Sequence, residues 1–332
     1  MSIALTSYLK PLQPFLERES LSEICINRPG EIWLEEKGRF TKELIPELTE
    51  NRLQILAELI AEDNHKNLSR AKPLMSATLP NGARCQFVLQ PACDKGQFIC
   101  SIRKPSVADL SLEDWEKQGA FAKVKKARVE RFNSVNQTLQ LLLKEERWKE
   151  LLDFAVRAHL NILISGGTST AKTTLLNSCL KEIAPHERLI TIEGVREVKT
   201  SLDNCVHLLA NEDDESVQSV TMLDLLKVSF RLRPDRIFLS ELRSREAYPY
   251  LRASISGHPG SLTTLHANSI ASAKEQLCFM LSESPELRNA PVARLKELIA
   301  LSVQVIVQMT REDDGIRLIE DIEVGDFKHA HV

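Results

Sequence analysis

The stretch Ser165 to Thr174, Ser-Gly-Gly-Thr-Ser-Thr-Ala-Lys-Thr-Thr, constrains this chain more than any other. Asn161 to Ile164 ahead of it reads as a strand, and Leu175, Leu176, Cys179, Leu180 and Ile183 behind it recur at helical spacing. A strand, a glycine-rich loop and a helix in that order let successive backbone N–H groups and a helix N-terminus surround a phosphate. Gly166, Gly167, Thr168, Ser169, Thr170, Ala171, Lys172, Thr173 and Thr174 are therefore the candidate nucleotide-binding set. Lys172 is expected against the β and γ phosphates, and Thr173 is expected to offer its hydroxyl to Mg2+. Ala171 departs from the pattern G-x-x-x-x-G-K-[ST], standing where the second glycine belongs, and a Cβ there restricts φ or crowds the β-phosphate. Taken alone, the stretch also fits a strand-to-helix turn with no ligand.

The rest of the composition narrows the choice. A chain of 332 residues is long enough for two domains, and 43% hydrophobic, 27% charged and 5% aromatic residues are the proportions of a soluble α/β protein. A formal net charge of −3 supplies no field for a polyanion, so no direct nucleic-acid readout is expected. Seven cysteines, at 25, 85, 93, 100, 179, 205 and 278, form no C-x-x-C pair and read as reduced, packed thiols of a cytosolic protein. No run approaches the roughly 18 apolar residues of a membrane span, and the N-terminus lacks a basic leader, so an integral or exported protein is not expected. Leu5, Tyr8, Leu9, Leu12, Phe15 and Leu16 form an apolar stripe interrupted by Pro11 and Pro14. An opening helix packed on its own domain accounts for it better than a membrane contact does.

The pattern divides the chain into an α+β N-terminal domain over 1–105, a polar helical linker over 106–147 and a second domain over 148–332. In the first, Ile24 and Ile26 lead into a turn, Glu31 to Glu36 reads as a strand, a helix is expected from Leu48 to Ala61, and Ser76 to Leu79 is followed by two alternating runs at Arg84 to Leu89 and Gln97 to Arg103. A three-strand antiparallel sheet with one helix against it accounts for these. Lys123, Lys125, Lys126, Arg128 and Arg131 in the linker read as a solvated face. The second domain alternates strand and helix: strands at Leu189 to Ile192, Cys205 to Leu209, Arg236 to Leu239 and Ser261 to Leu265, and a helix from Ser216 to Leu232. Several of these strands deliver a polar residue at their C-terminal ends, where open α/β sheets bind ligands: Glu193, Glu241 and His266. An apolar run ending in an acid, Ile237-Phe238-Leu239-Ser240-Glu241, suits a carboxylate near Mg2+ or an attacking water.

With these residues assembled, the chain resembles the hexameric traffic ATPases of bacterial type IV secretion systems. The matching stretches are Ile164 to Thr174, Leu189 to Val198, Arg231 to Ala247 and Ser256 to Asn268, and in the first domain Ile26 to Trp33, Ser76 to Arg84 and Ser101 to Ser106. The resemblance implies a RecA-like P-loop C-terminal domain with a smaller α+β N-terminal domain, a homo-hexamer, and ATP with Mg2+ held between the domains. It implies catalytic roles for Glu241, Glu193, His266 and Lys172, and contacts to the phosphates from Arg84 and Arg103. Cytoplasmic placement at the inner membrane, with inner-membrane components of the apparatus as partners, follows from the same resemblance.

Three positions depart from the family pattern: Ala171 for glycine in the loop, Gly194 for aspartate after Glu193, and Ser240 for glycine before Glu241. The expected activity is ATP hydrolysis driving assembly of, or substrate transfer through, the secretion system. The alternative is a ring or scaffold subunit with impaired or absent turnover, for which Ala171 is the motive.

Overall fold

The computed structural model describes residues 3–105, 111–124, 126–211 and 219–325, with the side chains of 126–133 excepted. Lys125 and residues 216–218 of the expected helix lie outside the described residues, as do the side chains of Lys126, Arg128 and Arg131. In chain order the elements are α1 (Ile3–Leu9), a 3-10 turn, α2 (Gln13–Leu16), β1 (Leu21–Ile26), β2 (Glu31–Glu36), β3 (Arg39–Leu44), α3 (Glu50–Asp63), β4 (Leu74–Thr78), β5 (Arg84–Val88) and β6 (Ile99–Arg103). There follow α4 (Leu112–Lys117), α5 (Lys126–Lys144), α6 (Trp148–Arg157), β7 (Ile162–Gly166), α7 (Lys172–Leu180), β8 (Leu189–Glu193), β9 (Cys205–Leu209), α8 (Met222–Ser229) and β10 (Arg236–Leu239). The chain closes with α9 (Ala247–Ile255), β11 (Leu262–Leu265), α10 (Ile270–Ser282), α11 (Val292–Ser302), β12 (Val305–Arg311) and β13 (Arg317–Val324). By compactness these fall into two units that interleave along the chain: residues 1–106 with 185–240, and 107–184 with 241–332.

In the first unit the antiparallel sheet has six strands, in the order β3-β2-β1-β6-β5-β4, where the sequence led us to expect three. β3 escapes notice in the sequence because Phe40 is its single buried side chain. One face of the sheet, with Ile24, Ile26, Leu34, Phe87 and Ile102, shares a core with Leu53, Leu56 and Ile60 of α3 and with Leu5, Leu9, Leu12 and Phe15 of the opening helices. The N-terminal stripe thus packs on its own domain. Pro11 and Pro14 fall in the first turns of their helices, where a missing N–H breaks no hydrogen bond.

The opposite face of this sheet is polar and meets residues 185–240. Arg188, fully buried, donates from Nη1 to the side-chain oxygens of Asn27 (2.8 Å) and Asn204 (2.5 Å), and from Nε to the Leu232 carbonyl (2.8 Å). Arg233 pairs with Glu35 and Asp235, each at 2.6 Å, and the guanidinium groups of Arg188 and Arg233 lie 5.9 and 5.4 Å from the Phe40 ring. These contacts tie the later segment to the first 106 residues. Within that segment β8 lies between β10 and β9, all three parallel. Arg236 and Glu187, both buried, form a two-pronged ion pair at 2.6 and 3.0 Å, the geometry that best offsets the cost of burying two charges.

In the second unit the strand order is β13-β12-β7-β11, with β7 parallel to both neighbours and β13 antiparallel at the edge. Ile162, Leu163 and Ile164 are fully enclosed, as a central parallel strand requires. Asn161, at the entrance to β7, ties three strand starts together. Its N–H donates to Gln304, its side-chain nitrogen to the Ser302 carbonyl, and its side-chain oxygen accepts from the Ser261 N–H, at 2.8–3.0 Å. All seven cysteines are free and buried. Among the described residues no helix is long and apolar enough to cross a membrane.

Candidate active site

β7 ends on Gly166, which stands opposite Met309 of β12 in the ladder. A Cβ at Gly166 would come within 2.8 Å of the Met309 carbonyl and 2.5 Å of the Thr170 hydroxyl, so no side chain fits. At Gly167 the nearest atoms would be 3.7 and 3.9 Å away, ordinary contacts. Thr168 and Ser169 are exposed and Thr170 is buried. Two loop residues other than glycine take left-handed backbone: Ser169 (φ 61°) and Ala171 (φ 69°, ψ 30°). For an L-residue this conformation costs roughly 1–2 kcal/mol, because Cβ approaches the following carbonyl. The restriction on φ expected at Ala171 is therefore met by strain with the loop formed. The pattern of the motif disclosed the demand at Ala171 and gave no sign of the one at Ser169.

Three of the loop carbonyls accept from side chains. Lys172 Nζ donates to the carbonyls of Gly166 (2.9 Å) and Gly167 (2.8 Å), the Thr170 hydroxyl donates to Gly167 (2.9 Å), and Arg317 Nε donates to Ser169 (3.0 Å). α7 opens at Lys172 with Ala171 as its N-cap, which offers no side-chain acceptor to the first-turn N–H groups. Those groups and the positive end of the helix make a setting for an anion. Thr173 lies half-buried in the first turn and Thr174 is exposed.

Lys172 Nζ also lies 3.4 Å from His266 Nδ1, and His266 Nε2 lies 2.7 Å from Glu241 Oε1. An ammonium can only donate, so Nδ1 accepts and the imidazole carries its proton on Nε2, directed at Glu241. Burial holds the Lys172 ammonium below the ordinary lysine range, and the charge of Glu241 partly restores it. The other carboxylate oxygen of Glu241 accepts from Arg243 Nε at 2.6 Å. Arg243 is largely exposed, and nothing in its sequence context distinguished it from the neighbouring polar residues.

Glu193, expected to act in the chemistry, ends β8 fully buried with both oxygens occupied. Oε1 accepts from the N–H groups of Glu197 (2.8 Å) and Val198 (2.7 Å), and Oε2 from the Thr191 hydroxyl (3.1 Å) and Arg196 (3.2 Å). These four donors fix the carboxylate at the end of β8. The Thr191 hydroxyl is also 2.7 Å from His207 Nδ1. Because Thr191 gives its one proton to Glu193, His207 is the donor. Gly194 has room for a side chain, with Met222 Cε the nearest atom at 4.0 Å from a built Cβ. Ser240 extends the β10–β8 ladder by donating to the Ile192 carbonyl.

Arg84 and Arg103 are direct cross-strand partners on β5 and β6, both exposed, with Glu23 opposite Arg103 on its other side. Like charges placed opposite one another cost a few tenths of a kcal/mol, and a bound anion would relieve that cost. They belong to the first compact unit, whereas Lys172, Glu241 and His266 belong to the second.

The type II/IV secretion system protein family matches residues 6–315. The chain is 33% identical to the type IV secretion system protein VirB11 of Bartonella henselae, over all of this chain and 96% of that protein. It is 34% identical to the type IV secretion system protein PtlH of Bordetella pertussis, over 92% of this chain and 89% of that one. The crystal structure of the VirB11 ATPase from the Brucella suis type IV secretion system, in complex with sulphate, matches with a TM-score of 0.89 at 34% identity, covering 96% of this chain and 94% of that chain. The fold is accordingly the mixed α/β, RecA-like architecture expected from the sequence.

Proposed function

This chain belongs to the type II/IV secretion system protein family, and from that premise we propose that it is a P-loop ATPase serving a bacterial type IV secretion system. Hydrolysis of ATP would drive assembly of the apparatus or substrate transfer through it. The carrying observation is the unbroken string Lys172–His266–Glu241, which links the loop lysine to an acid at hydrogen-bond distance.

In this reading the loop N–H groups and Lys172 bind the β and γ phosphates, and Glu241 orients the attacking water. Each Glu241 oxygen has one described donor and keeps a lone pair for that water. His266 reports the position of Lys172 to Glu241, since both its ring nitrogens are engaged. Glu193, held by the N–H groups of Glu197 and Val198, braces the segment from Gly194 to Val198 and is the second acid proposed to polarise the water. Arg84 and Arg103 bind the terminal phosphate, where guanidinium groups suit developing charge. Thr173 is the side chain suited to Mg2+. Among the described residues no three His, Cys, Asp or Glu converge on a metal, and Mg2+ held by one protein hydroxyl would be of the kind that keeps most of its ligands from substrate and solvent. Bound there, Mg2+ neutralises charge on the β and γ oxygens. Residues 1–105 and 148–332, joined by 106–147, are the functional domains in this scheme. The working assembly is a homo-hexamer in the cytoplasm, docked on inner-membrane components of the apparatus.

Phosphate release by the purified protein tests the reading. Glu241→Gln keeps size and hydrogen bonding, and is expected to lower turnover about a hundredfold or more with little change in nucleotide affinity. Equal turnover in the variant removes Glu241 from the chemistry. A parent protein that binds ATP without releasing phosphate would replace the enzyme by a non-hydrolysing ring subunit, the reading that the strained Ala171 favours.

A further inference from the structure

Of the loop carbonyls described above, Gly166 and Gly167 are held by side chains of the loop and its helix, and Ser169 by an arginine from the far end of the chain. Ser169 is one of the two left-handed residues, and the other, Ala171, lies two positions on. The donor stands at a hydrogen-bonded turn. β12 and β13 form an antiparallel hairpin whose turn is closed by Glu312 N–H to the Ile316 carbonyl and by Gly315 N–H to the Glu312 carbonyl, both at 2.9 Å, with the Ile316 N–H on Asp314. Arg317 is the first residue past that turn. The other strand of the hairpin carries Met309, against which Gly166 packs. One hairpin therefore meets the loop at its start, Gly166, and at its middle, Ser169.

We propose that Arg317 is a positioning residue of the phosphate loop. It fixes the Ser169 carbonyl and so maintains the left-handed pair, Ser169 and Ala171, whose backbone aims the loop N–H groups at phosphate. A loop with glycine at such positions needs no such hold, since glycine adopts φ > 0 freely; this loop has serine and alanine there. The proposal rests on the reading of residues 165–174 as a phosphate-binding loop.

The test exploits side-chain geometry. Nε of arginine and Nε2 of glutamine stand the same number of bonds from Cα, so Arg317→Gln keeps a donor at equal reach and removes the charge, whereas Arg317→Ala removes both. Binding of ATP is measured for the parent, both variants, Ala171→Gly, and Arg317→Ala combined with Ala171→Gly. Amide hydrogen exchange of residues 166–175 is measured on the same proteins without nucleotide. Arg317→Ala is expected to weaken ATP binding about threefold to tenfold, the worth of one hydrogen bond, and to speed exchange in the loop. Arg317→Gln is expected to stay within about twofold of the parent in affinity. The loss from Arg317→Ala is expected to shrink when Ala171→Gly relieves the strain, the coupling a double-mutant cycle reports. Unchanged loop exchange in Arg317→Ala overturns the proposal. So does an Arg317→Gln variant as weak as Arg317→Ala, because the arginine would then act on the nucleotide through its charge. If no protein in the set binds ATP, the phosphate-loop reading falls, and the exchange data still decide whether Arg317 holds the loop.

Discussion

At the scale of single residues, the two glycines of the loop have unequal duties. Gly166 is required because the Met309 backbone occupies the space of a Cβ, while a Cβ at Gly167 would make only ordinary van der Waals contacts. Gly166→Ala must displace a carbonyl of the central sheet, and overpacking of this kind costs about 1–3 kcal/mol. Gly167→Ala is expected to change stability by less than about 0.5 kcal/mol. Thermal denaturation with nucleotide titration checks this: equal losses in the two variants would remove Met309 as the cause. The sequence motif marked both glycines and the alanine, because phosphate loops impose residue types at fixed spacing. Met309, Arg317 and Arg243 carried no such mark; their importance comes from tertiary neighbours that no local spacing reveals.

At the scale of elements, β8, β9 and the segment after β8 are joined through Glu193, Thr191 and His207. Burial, with the charge of Arg196 adding to it, pulls His207 down from the ordinary 6.5 to about 4. The folded state therefore binds fewer protons than the unfolded state across that window. Its contribution to stability is complete above pH about 6.5 and is lost as pH falls toward about 4, at up to roughly 1.4 kcal/mol per pH unit. His207→Asn, whose side-chain nitrogen can replace Nδ1 toward Thr191, is expected to flatten the acid limb in urea denaturation between pH 7.5 and 4.5. Identical acid limbs in parent and variant would assign the lost stability to other groups. Elements were legible where short, fully buried runs rich in apolar and β-branched residues stood between polar stretches, as in β7, β8, β10 and β11. β3, with one buried side chain, and β13, exposed along most of its length, were not. Glu193 was legible as an acid at a strand end. Its four donors, two of them backbone N–H groups of a folded-back loop, were not.

At the scale of the whole molecule, family membership sets the expectation of an assembly. Mass photometry with ATP and Mg2+ is expected to find particles six times the 37.5 kDa chain mass; a protein that stays monomeric at micromolar concentration with nucleotide and Mg2+ would remove the ring. Compactness groups residues 185–240 with the first 106, because Asn27, Glu35 and Phe40 find their partners in Arg188 and Arg233. That clasp has a consequence for synthesis. The first sheet leaves the ribosome with its polar face uncovered, and at ordinary elongation rates the residues that cover it follow on the order of ten seconds later. A nascent chain stalled after residue 184 would thus carry every strand of the first sheet while still presenting Phe40 and the Glu35 carboxylate to chaperones and proteases.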